Sequence, residues 1–131
     1  MTKSIGAQLR AIHKKDSHKF LKIAKETYLD IGNDVIIASP IDEGLLLANW
    51  NMAYDKIDPT LQPIGRDSTG ELTVFLNNFK VDERTFYLTN SLPYAKAIED
   101  GHSKGNAPRG MVKVSAARFN TLAQQKINKY K

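Results

Sequence analysis

No cysteine occurs among the 131 residues. Disulfides and thiolate metal sites are therefore excluded, and a reducing cytosol is the expected place of synthesis. No stretch approaches the run of about 18 apolar residues that a membrane span requires. The opening, MTKSIGAQLRAIHKKD, lacks the apolar core of a signal peptide. Tryptophan is present once, at Trp50. Acidic residues are missing from one whole end: residues 101–131 carry seven Lys/Arg and neither Asp nor Glu. The patterns H-E-x-x-H, G-x-x-x-x-G-K-[ST] and G-x-G-x-x-G are all absent. So are the signatures of a helix-turn-helix, a zinc finger or an RNA-binding aromatic platform.

What is present is a strongly polarised chain. Residues 1–25 hold seven Lys/Arg and one acid, whereas residues 26–100 hold five Lys/Arg and thirteen acids. The net charge of +5 thus hides two basic ends and an acidic middle. Such a layout suits sequence-independent contact with phosphates. It equally suits head-to-tail association, the basic part of one copy meeting the acidic part of the next, or simply solvated lysine-rich ends.

The hydrophobic pattern predicts an α+β fold in a single domain spanning residues 1–131, a size ordinary for one domain. Residues 1–15 lack a clear period and read as a mobile basic arm. Asp16 to Ser39 reads as one long helix, with Phe20, Ala24, Thr27, Ile31, Val35 and Ala38 in a stripe widened by Leu21, Tyr28 and Ile37. Pro40 ends it. LLLANWNMAY alternates with period two and reads as a strand, Leu46, Ala48, Trp50, Met52 and Tyr54 on its apolar face. DKIDPTLQPIGRDSTG is a long loop. ELTVFLNNF reads as a short helix through Leu72, Phe75, Leu76 and Phe79, and RTFYLTN as a second strand. PYAKAIEDG is a short helix with Pro93 in its first turn and Gly101 as its stop. A final helix from Met111 carries the stripe Val112, Ala116, Phe119, Leu122/Ala123 and Ile127. The long N-terminal and C-terminal helices are expected to pack on a small antiparallel sheet.

The stretch SLPYAKAIEDGHSKGNAPRGM concentrates polar chemistry. Glu99, Asp100 and His102 are neighbours in sequence, and neighbours rarely converge on one metal. His13 and His18 are five apart, which is no single helix face. Ser91 and Ser103 have no His–Asp relay that the sequence places beside them. Trp50 reads as core. The chain is therefore expected to be no enzyme and to need no metal or cofactor, and the loop Gly101 to Gly110 reads as a surface for gripping another subunit. Its proposed contact residues are Glu99, His102, Lys104 and Arg109, arginine being a frequent interface anchor.

Two stretches carry a resemblance. SPIDEGLLLANW (Ser39 to Trp50) resembles the pattern Ser-Pro-Val/Ile-Asp-Thr-Gly, a hydrophobic residue, then Asn-Trp. TNSLPYAKAIEDGHSKGNAPRGMV (Thr89 to Val112) resembles Asn-Asn/Ser-Leu-Pro-Tyr-Ala, then Glu-x-Gly-x-Ser, then Ala-Pro-x-Gly-Met-Val. Together, in this order, they are similar to the tail-component family of tailed bacteriophages: minor tail, tail-completion or head–tail joining (neck) proteins. Glu43 stands where the pattern has threonine, and Leu47 where it often has a basic residue. The resemblance implies a structural virion protein, made in the host bacterial cytoplasm and located in the neck or tail. It implies a homo-oligomeric ring, plausibly a hexamer, between connector and tail tube, touching other connector, neck and tail proteins and the DNA of the channel. Pro40, Asp42, Gly44, Asn49, Trp50, Pro93, Tyr94, Gly101, Pro108 and Gly110 then read as residues that define the fold. A tail terminator capping the tube and a sequence-independent DNA-binding protein stay open as alternatives.

Overall fold

The structure, a computed structural model, describes residues 3–39, 44–79, 85–100 and 110–131. Among these lie seven helices and one two-stranded antiparallel ladder, an α+β arrangement. Pro40, Asp42, Gly101, His102, Lys104, Pro108 and Arg109 fall outside the described residues.

Helix α1 (Ile5–Lys15) occupies the segment expected to be a mobile arm. The Ser4 hydroxyl accepts the Ala7 N–H at 3.1 Å and closes its first turn. Ile5, Leu9 and Ile12, half-buried at helical spacing, face the rest of the molecule. His13 stacks on Phe20 with ring centroids 4.6 Å apart. The short stripe escapes a sequence reading because none of its members is fully buried. A single residue, Asp16, turns the chain into α2 (Ser17–Ile37). Its backbone N–H ends α1 on the Ile12 carbonyl, and its carboxylate accepts the Lys19 N–H at the start of α2.

Helix α2 is the central element and is buried along Ile23, Thr27, Gly32, Val35 and Ile36. This stripe is rotated from the expected one, and Ile37, assigned inward, stands 69% exposed. The rotation follows from two-sided packing: α1 and the C-terminal helix cover one flank of α2, and the helix at Ser68–Asn77 covers another.

Residues 45–54 are not a continuous strand. Gly44, at φ +70°, leads into a single helical turn, α3 (Leu45–Ala48), and strand β1 begins only at Trp50 (Trp50–Tyr54). Leu and Ala favour the turn, and Asn49 holds it by donating its side-chain N–H to the Leu45 carbonyl at 2.7 Å. The loop 55–67 then runs to α4 (Ser68–Asn77), whose N-cap Asp67 accepts from Gly70 at 3.0 Å. Strand β2 (Phe86–Asn90) pairs with β1 in the register Trp50↔Asn90, Met52↔Leu88, Tyr54↔Phe86. Ala95 N–H bonds to the Leu92 carbonyl, making Pro93-Tyr94 the centre of a turn that precedes α5 (Ala95–Glu99) instead of its first turn. The final helix is broken at Arg118 into α6 (Lys113–Ala117) and α7 (Phe119–Lys129). Val112 and Ala116, expected inward, are exposed, whereas Leu122, Ala123 and Ile127 are buried.

The main core gathers Val35 and Ile36 of α2, Leu46, Trp50, Leu72 and Leu76 of α4, Leu92, Ala95 and Met111. Tyr28, Tyr54, Phe75, Phe79 and Phe86 close one end of it as an aromatic cluster, with ring centroids 4.7–6.4 Å apart. Burial of the Tyr28 ring pushes its hydroxyl pKa up. The C-terminal helix joins through α2, and polar bonds reinforce the contact. Lys126 reaches Asp30 at 2.8 Å, Lys129 reaches Glu26 at 2.7 Å, and Arg118 reaches Asp34 at 2.8 Å. Tyr130 also donates to Glu26. Part of the basic C-terminal end is thus matched to acids of the same chain.

Candidate functional site

The two motif stretches, some forty residues apart in sequence, meet at one joint. Trp50 and Asn90 are opposite partners in the ladder. The Trp50 indole N–H donates to the Ser39 hydroxyl at 2.7 Å, tying the strand to the end of α2. The Asn90 side chain donates to the Leu46 carbonyl at 2.8 Å, and its oxygen accepts the Leu92 N–H at 3.2 Å. A cleft of about 290 Å³ remains between the stretches, lined by Trp50, Asn90, Ala95, Lys96, Glu99 and Met111.

Glu99 sits at the root of the segment 101–109. Its Oε1 accepts the Met111 and Val112 N–H groups at 2.6 and 2.7 Å, and its Oε2 accepts that of Lys113 at 2.9 Å. The last two belong to the N-cap and first residue of α6, whose N–H groups their own helix cannot satisfy. Partial burial pulls the Glu99 pKa upward, but the three N–H bonds and the Lys113 ammonium outweigh it and hold the carboxyl below its ordinary value. Gly110 lies directly against this clamp at φ +85°, and a Cβ there would collide with the Glu99 carbonyl and carboxylate. Asp100 pairs with Lys96 at 3.1 Å and Lys113 at 3.6 Å, and the Lys96 contact is the main cause of its lowered pKa. The carboxylate assigned to an intersubunit contact is therefore engaged inside the chain. It fixes the two ends of the segment that holds His102, Lys104 and Arg109, residues outside the described set.

Of the other motif residues, Gly44 supplies a left-handed turn, Asn49 and Trp50 are buried, and Pro93 and Tyr94 are exposed at the turn before α5. Among the described residues no group of three or more His, Asp or Glu side chains is placed to hold a metal ion. No described helix is long and apolar enough to cross a membrane.

A second polar assembly was not anticipated. Asn49 and Asn51 are 1% and 2% exposed and both grip the loop 55–67. Asn49 donates to the Gln62 carbonyl at 3.0 Å and accepts its N–H at 2.7 Å. Asn51 donates to the Asp58 and Thr60 carbonyls at 3.0 and 2.6 Å and accepts from the Gln62 side chain at 3.1 Å. Arg66 donates to the Ala48 and Trp50 carbonyls, and Ser68 to that of Leu47. The loop is thereby fixed along the free edge of β1. Yet it leaves Ile57, Leu61 and Ile64 51%, 64% and 64% exposed. The signal for this network was the pair of asparagines in a segment that reads as a strand, where strand propensity disfavours them unless their amides have fixed partners. Comparisons with protein-family models, with curated proteins and with solved structures find no match for this chain.

Proposed function

We propose that the chain is a structural virion protein of a tailed bacteriophage. It serves as a tail-completion or head–tail joining component that assembles as a sixfold ring between connector and tail tube. The observation that carries this reading is the convergence of the two family-like stretches on one joint. Their polar side chains there are used in holding backbone: Trp50 on Ser39, Asn90 on Leu46 and Leu92, Glu99 on the first turn of α6. A protein whose most distinctive residues position loops is suited to docking.

The fixed loop 55–67 supports the same conclusion. Ordered backbone presenting Ile57, Leu61 and Ile64 to solvent lowers the entropy cost of an interface before it forms. In this reading the loop 55–67 and the segment 101–109 contact neighbouring copies or adjacent layers of the neck, with His102, Lys104 and Arg109 at the contact.

The test is an Arg109→Glu phage. The purified variant is expected to give the wild-type circular dichroism spectrum and melting temperature, while full heads and normal-length tails accumulate unjoined. Normally joined particles would remove the loop assignment. Tails of irregular length would assign the chain to a tail terminator. Its absence from purified particles by mass spectrometry would end the virion reading altogether.

A further inference from the structure

We propose that the α1–α2 corner is a binding surface for the phosphodiester backbone of double-stranded DNA, without regard to base sequence. The two basic ends of the chain have different fates in the fold. Arg118, Lys126 and Lys129 of the C-terminal end are paired with Asp34, Asp30 and Glu26. Among the described residues, no ion pair involves Arg10, Lys14, Lys15, Lys19, Lys22 or Lys25. The one-residue turn at Asp16 joins the end of α1 to the start of α2, and these six cations all lie within nine residues of that turn. The end of α7 lies beside them, with the Lys22 Nζ 5.8 Å from the Tyr130 ring centroid. The acids nearby are already engaged: Asp16 caps α2, and Glu26 accepts from Lys129 and Tyr130.

The chemistry of this corner separates nucleic acid from an acidic protein. Protein interfaces have an apolar core with aromatic anchors and are depleted in lysine. Protein–DNA interfaces are polar and strongly positive. Among the described residues, none of the exposed large hydrophobic side chains lies on α1, in the first twenty residues of α2 or on α7; they lie elsewhere, from Ile37 to Val114. Five of the six unpaired cations are lysines. The surface therefore offers charge without an apolar contact, which suits phosphates at regular spacing. This inference goes beyond the ring reading and does not depend on it, because it concerns the isolated chain.

The experiment is fluorescence anisotropy of the full-length protein with two fluorescein-labelled 30-base-pair duplexes of unrelated sequence, from 25 to 200 mM NaCl. Two triple variants carry the same change in net charge: Lys14→Glu/Lys15→Glu/Lys22→Glu at the corner, and Lys56→Glu/Lys96→Glu/Lys113→Glu elsewhere. Circular dichroism melts check that each folds. With about five phosphates neutralised, the wild type should bind both duplexes equally with a log–log salt slope of about −4 to −5. The corner variant should lose at least tenfold in affinity at 100 mM NaCl and about 3 from the slope. The second variant should keep most of both. No binding at 25 mM NaCl, equal losses in the two variants, or equal displacement of the duplex by polyglutamate at matched charge would each overturn the proposal.

Discussion

Replacing Glu99 tests whether a single carboxylate holds the root of the segment 101–109. Three backbone N–H groups leading into α6, those of Met111, Val112 and Lys113, point at its two oxygens, at 2.6, 2.7 and 2.9 Å. Hydrogen bonds to a charged acceptor contribute about 1.5–3 kcal/mol, and loss of a helix cap costs about 0.5–2 kcal/mol. Glu99 is only partly buried, so water can replace some of what is lost; a cost of about 1.5–2.5 kcal/mol for Glu99→Ala is the expectation. Glu99→Gln keeps the shape but sets an amide N–H against the Lys113 N–H, and about 1–1.5 kcal/mol should go. For a chain of this size, 1 kcal/mol corresponds to roughly 3–5 °C in Tm. The sign of the pH dependence follows from the lowered pKa of the native carboxyl. Its contribution is fully present above the unfolded value of about 4.3 and is lost as pH falls through the lower native value. Urea titrations of wild type and Glu99→Gln should therefore differ at pH 7 and converge toward pH 3. Equal midpoints at pH 7, or a gap that persists undiminished at pH 3, would refute the clamp.

Two further substitutions probe the packing that presents the proposed contact surfaces. At Gly32 an added Cβ would stand 2.6 Å from a Leu72 methyl where α2 and α4 approach closely. Gly32→Ala gains about 1 kcal/mol of helix propensity but incurs about 1–3 kcal/mol of overpacking, so denaturation should give a net loss of about 1 kcal/mol, relieved when Leu72 is also shortened to Val. Asn51→Ala removes three hydrogen bonds that fix the loop 55–67. Stability should fall by about 2–3 kcal/mol, and trypsin should cut after Lys56 well before global unfolding; unchanged proteolysis would mean that the loop does not depend on the network.

How much of this was legible in the sequence divides along the range of the interactions. Local signals were read correctly where one force dominated. Asp16 to Ser39 has too many apolar residues at helical spacing to be anything else, the short helix through Leu72 and Leu76 follows the same rule, and Phe86 to Asn90 alternates as a strand. The errors came where a neighbouring residue or a distant partner overrode the apolar period. Leu45–Ala48 matches a strand by period alone, but Gly44 turns the chain first and Asn49 then holds the turn, so alternation starts only at Trp50. Residues 5–15 carry too little apolar surface to identify themselves, and become a docked helix through α2 and a Gln8–Gln124 amide pair 116 residues apart in sequence. The same logic applies to function. Charge polarity was visible from composition, but composition cannot say which cations find acids in their own chain. The fold makes that choice by running α7 along Glu26, Asp30 and Asp34, and so leaves the α1–α2 corner as the basic surface still unmatched. Glu99 follows suit: in sequence it is one polar residue among several in a glycine-rich stretch, and only the return of the chain at Gly110 gives its carboxylate the donors that define its role.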